Sequence, residues 1–91
     1  MVTEEFNLRV IASHFPEMEV RRYEPASNKR LQNMELHFDH DRYAFIVLDP
    51  RRGFYLSFYN RYTDEPVDAE IFDVVELLAL IHEHYYKGAH S

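Results

Sequence analysis

The chain contains no cysteine. It therefore has no disulfide framework, no thiolate nucleophile and no cysteine-ligated zinc, and its stability must come from packing alone. Glycine is nearly as scarce: Gly53 and Gly88 are the only two, which excludes a glycine-rich loop that could cradle a phosphate. Long apolar runs are missing, because no window approaches the roughly 20 residues that a membrane-spanning helix needs. The first residues, Met1 to Glu5, are acidic where a secretory signal would be basic, so a cytoplasmic location is expected.

What is present describes one small folded unit. Over 91 residues the chain is 46% hydrophobic and 29% charged, too apolar for disorder and too short for two cores, so a single domain spanning 1–91 is expected. The net charge of -6 is unevenly spread. Residues 1–19 hold four acids and one base, residues 20–62 five acids and eight bases, and residues 63–91 seven acids and one base. An acidic whole argues against non-specific nucleic-acid binding, although the basic middle still allows a local basic face.

Hydrophobic periodicity assigns the elements. Thr3 can cap a first helix in which Phe6, Val10, Ile11 and Phe15 recur at helical spacing and which Pro16 ends. Four alternating runs at 19–23, 33–39, 43–48 and 54–59 follow, rich in Val, Ile, Tyr and Phe, and these predict strands. A polar loop covers 25–30, and a tight link at His40, Asp41 and Arg42 joins the second and third strands. Asp49-Pro50-Arg51-Arg52-Gly53 has proline where a turn begins and glycine where positive φ is needed, which predicts a hairpin. Beyond Pro66 the period becomes helical: Ile71, Val74, Val75, Leu78, Ile81 and Tyr85 form a stripe on a helix over 67–87, stopped by Gly88. The expected fold is α+β, a four-stranded antiparallel meander with N- and C-terminal helices on one face, in the order α-β-β-β-β-α.

If the helices cover one face, alternation decides what the other shows. Met34, Leu36 and Phe38 oppose Glu35, His37 and Asp39, and Phe54, Leu56 and Phe58 oppose Tyr55, Ser57 and Tyr59, with Arg61 in phase. Arg21 and Tyr23 join the open set. The third strand has no polar side, since Tyr43, Phe45 and Val47 alternate with Ala44, Ile46 and Leu48. An apolar stripe among tyrosines and arginines is the composition of a partner surface. The expected function is a non-enzymatic protein interaction module, a homodimer or adaptor. Its expected contact residues are Tyr23, Tyr43, Phe45, Tyr55, Tyr59 and Arg61 on the sheet, with Arg51 and Arg52 at the hairpin tip. The loop at 25–32 could instead fold over the stripe.

Other chemistries have less behind them. A Tyr/Arg sheet face is also a platform for single-stranded nucleic acid, but these arginines can pair with Glu24, Glu35, Asp39 and Asp41. A further alternative is an inhibitor or immunity-type protein that presents Asp64, Glu65, Asp68, Glu70, Asp73, Glu76 and Glu83 on its C-terminal helix. His37 and Asp39, two apart on a strand, resemble half of a metal site, with no third ligand in view. His82 and His84 lack the four-residue spacing of a helical zinc motif. Ser57 with His37 lacks an orienting carboxylate, so no catalytic residue, metal or cofactor is expected.

Overall fold

The structure is a computed structural model that describes residues 7–28, 30–60 and 63–87, with backbone alone for 63–68 and 87. Five antiparallel strands form one sheet in the order β1-β2-β3-β4-β5: β1 (Glu19–Glu24), β2 (Gln32–His37), β3 (Arg42–Asp49), β4 (Gly53–Asn60) and β5 (Thr63–Ile71). A short helix α1 (Arg9–Ser13) precedes the sheet, and α2 (Val74–His82) follows it and widens into a π-helical turn at Glu83–Lys87. The class is α+β with an antiparallel sheet and two helices, as expected; the strand count and the second helix differ.

The fifth strand corrects the expected long helix. Thr63–Ile71 pairs with β4, with Phe58 opposite Val67, Leu56 opposite Ala69 and Phe54 opposite Ile71. Val67, Ala69 and Ile71 thus recur with a period of two, and Ile71 belongs to the strand and not to a helical stripe. Pro66 is tolerated because β5 is an edge strand, where one backbone N–H needs no ladder partner. The helix starts only after Asp73, whose Oδ1 accepts the backbone N–H of Val75 at 3.3 Å as an N-cap. Its buried stripe is Leu77, Ile81 and Tyr85, while Val75, expected inside, is 71% exposed. The acidic residues expected on one helix are divided, since Asp64, Glu65, Asp68 and Glu70 lie on β5. That division removes the single acidic helix on which the inhibitor reading rested.

The hairpin forms as predicted. Arg52 N–H donates to the Asp49 carbonyl at 3.1 Å, Asp49 Oδ1 accepts from Arg51 N–H at 3.0 Å, and Gly53 adopts φ +110°. A Cβ on Gly53 would lie 2.6 Å from the Ile71 carbonyl oxygen, so both conformation and space require glycine. At the opposite end of β3, Asp39 shapes the turn. Its Oδ1 accepts the N–H groups of Asp41 and Arg42, and its Oδ2 takes the Arg42 guanidinium at 2.6 and 2.9 Å.

One core forms on one side of the sheet. Leu36, Ile46 and Leu56 from the strands, Leu8, Ile11 and Phe15 from the N-terminal segment, and Leu77, Ile81 and Tyr85 from the C-terminal helix share a single buried cluster. Both helical segments therefore lie on the same face. Val10, expected in the first helix's stripe, is exposed instead. Expectations placed on Thr3, Phe6, Arg61 and Gly88 fall outside the described residues.

Candidate interaction surface

The face away from the helices is built by strict alternation. In β3, Ala44, Ile46 and Leu48 are buried in the core, so Tyr43, Phe45 and Val47 point the other way, and all three are half-buried. Register brings Tyr43 opposite His37 on β2 and Tyr59 on β4, Phe45 opposite Glu35 and Ser57, and Val47 opposite Asn33 and Tyr55. Tyr43, Phe45, Tyr55 and Tyr59 therefore share one face, as expected. No described helix or loop lies across them.

Three rings form a column across the strands. His37 stacks on Tyr43 at 4.6 Å between centroids, and Tyr43 stacks on Tyr59 at 4.9 Å, with interplanar angles of 14° and 13°. Such cross-strand aromatic pairs add to the sheet beyond their buried area. Burial of Tyr43 pushes its phenol pKa up, and the Glu35 carboxylate and neighbouring Tyr59 push the same way. Tyr43 is thus a neutral ring at neutral pH. Glu35 anchors the column's edge, with Oε1 2.9 Å from His37 Nε2 and Oε2 3.5 Å from Arg22 Nη1.

At the hairpin end the face opens into a hollow of about 260 Å³. It is lined by Leu31, Val47, Phe54 and Tyr55 with Asp49, Arg52, Gly53 and Glu70. Leu31 is the one described residue of the 25–31 loop to reach this hollow; Ala26, Ser27, Asn28 and Arg30 line a separate hollow beside Leu48 and Pro50. The loop therefore leaves the stripe open. Phe72, immediately after β5 at the same end, is 69% exposed.

Tyr23 is a correction. Arg22 takes φ +53°, the register slips between Arg21 and Glu24, and the extra residue turns Tyr23 from the open face toward the core. There its hydroxyl lies 3.3 Å from Gln32 Oε1, and the Arg9 guanidinium sits 4.8 Å from its ring centroid. Arg51 and Arg52 are exposed at the hairpin tip, as expected. Arg61 lies outside the described residues.

The other constellations disperse. Asp39 is held by Arg42, which keeps its carboxyl below the ordinary range, while His37 is engaged by Glu35. No three side chains of metal-ligating type cluster among the described residues. Ser57 sits on β4, separated from His37 by the whole of β3. Four arginines of the nucleic-acid reading find carboxylates: Arg21 with Glu19 at 2.9 Å, Arg22 with Glu35, Arg30 with Glu24 at 3.2 Å, and Arg42 with Asp39. The Arg21 guanidinium, hydrogen-bonded to Glu19, lowers that carboxyl's pKa, and the contact raises its own.

The two C-terminal histidines also separate. His84 stacks on Phe58 at 3.8 Å, and burial followed by the nearby Arg42 charge lowers its pKa. His82 lies against Tyr86 at 5.1 Å. Periodicity missed Phe72, because it was counted inside a helix; its exposure follows from the strand that precedes it. No helix among the described residues is long and apolar enough to cross a membrane. Compared with protein-family models, with curated proteins and with solved structures, the chain matches none.

Proposed function

We propose that this protein is a non-enzymatic interaction module that self-associates through the outer face of its sheet, in a cytoplasmic setting. The observation that carries the reading is the contiguous aromatic and aliphatic surface of Tyr43, Phe45, Val47, Tyr55 and Tyr59, left open by both helices and by the described loop. A monomer gains nothing from exposing such a surface, whereas burying it at about 25 cal/mol per Å² of apolar area drives association. Tyrosine is well suited to the task, since its ring supplies area with few rotatable bonds and its hydroxyl stays satisfied in water when the partner leaves.

Light scattering coupled to size exclusion, run from low micromolar to several hundred micromolar, tests the reading. A concentration-dependent dimer that Phe45→Asp converts to a folded monomer supports it. A monomer at every concentration defeats it. The pairing of four arginines with carboxylates inside the chain favours a protein partner over a polyanion. Nucleic acid nevertheless remains the second reading, and a labelled single-stranded oligonucleotide at low salt, unshifted, removes it.

A further inference from the structure

We infer that the self-associated form is a two-fold dimer in which the two sheets cross near a right angle, each hairpin tip lying over the other copy's β5. The inference rests on the self-association reading and adds the occupant's orientation. Charge carries it. Arg21, Arg22, Arg30 and Arg42 are neutralised within the chain, but Arg51 and Arg52 are exposed and pair with no described carboxylate. On the other side of the face, β5 places Asp68 and Glu70 at the register positions opposite Ser57 and Tyr55, and the strand holds no base. Seen from the centre of the sheet, the cationic end lies along the strands and the anionic edge lies across them.

A face that pairs with itself must do so about a two-fold axis lying in the interface. An axis parallel to the strands sets the two hairpin tips side by side, arginines against arginines. An axis perpendicular to the strands sets β5 over β5, carboxylates against carboxylates. A diagonal axis turns the sheets across each other and places each tip over the partner's β5, so both like-charge contacts become opposite-charge contacts. Crossed sheets are one of the two established packing modes, and rim charges of this kind fix orientation and exclude wrong registers.

The same diagonal accounts for Phe72. It stands at the corner between hairpin tip and β5, its Cα only 3.1 Å from where a Gly53 Cβ would be. Points on the axis meet their own copies, so the two exposed Phe72 rings come together there. The available area is adequate: five strands at ~4.8 Å spacing and about 27 Å along the eight-residue strands give on the order of 600 Å² per copy. Two copies bury roughly 1,200 Å², the lower bound of specific interfaces.

The lack of cysteine makes the test clean, because any introduced thiol is the only one. Three single variants report the three axes under mild oxidation: Phe72→Cys the diagonal, Arg51→Cys the parallel and Arg21→Cys the perpendicular. Rapid disulfide-linked dimer from Phe72→Cys alone is the expected result. Faster cross-linking through either of the others, or through none while scattering still shows a dimer, overturns the crossed arrangement and leaves self-association standing. A wild-type monomer at several hundred micromolar overturns both. A second arm needs no thiol: Arg51→Glu with Arg52→Glu, and separately Asp68→Lys with Glu70→Lys, should each weaken self-pairing at least tenfold, and mixing the two should restore it. Unchanged pairing in both double variants also overturns the proposal.

Discussion

The two faces of one sheet differ in how they are finished. On the inner face Leu36, Ile46 and Leu56 have no exposed surface, because two helical segments close over them. On the outer face Tyr43, Phe45 and Val47, from the same strand as Ile46, keep part of their surface in water, and Tyr55 is 40% exposed. The strands contribute comparable apolar material to both sides, so hydrophobicity alone does not separate core from surface. The difference lies in side-chain type. Strand side chains without a hydroxyl, Phe54 and Phe58 among them, fill the closed side, while the open side is dominated by rings that carry one.

That contrast can be broken or sharpened by substitution. Leu56→Ala on the closed side should cost about 2–5 kcal/mol of unfolding free energy by urea denaturation, since no neighbour can relax into the space. Phe45→Ala on the same sheet's open side should cost the monomer about 1 kcal/mol or less while removing most of its self-association, and equal losses at the two sites would erase the distinction. Next in size, Gly53→Ala should destabilise by roughly 2 kcal/mol, because the hairpin joining the two faces needs positive φ and has no room for a Cβ. Thermal melting reads it directly.

Two smaller effects concern the helical lid. Tyr85 is buried with a hydroxyl that has no hydrogen-bond partner among the described residues, and that burial pushes its pKa well up. Tyr85→Phe should therefore raise stability by about 1 kcal/mol, by removing an unsatisfied donor. His84 has the opposite titration. Its folded pKa lies below the ordinary value, so folding favours the neutral ring; stability is fully present above about pH 6.5 and falls as pH drops toward the lowered folded pKa. Melting curves at pH 7.5 and 5.5 should show a larger acid loss for the native chain than for His84→Gln.

Strands β2 and β4 are legible because apolar and polar residues alternate along them, β3 because an unbroken run of β-branched, aliphatic and aromatic residues lies between two turn-forming segments, and the Asp49 to Gly53 turn carries its own chemistry. β5 is not. Its alternation runs through Val67, Ala69 and Ile71, where alanine is a weak signal and intervening acids mimic a helix face. Pro66 also resembled a boundary, although an edge strand accommodates it. Tyr23 was misplaced for a different reason: a bulge formed by an arginine at positive φ has no signature in residue type, and a single extra residue reverses every later side chain on the strand. Tyr43, Phe45, Tyr55 and Tyr59 share the expected face because the pairing of β3 with β4 is regular throughout.

The irregularity at Arg22 has a consequence beyond the placement of one tyrosine. A sheet with two free edges can recruit further strands without limit, the route to fibres. Here the β1 edge is bent by a bulge and lined with arginines, and the β5 edge carries a proline and four acids. Neither margin offers a flat row of unpaired amides. Growth by strand addition is thereby discouraged at both ends, and the apolar surface left in water is confined to the outer plane of the sheet.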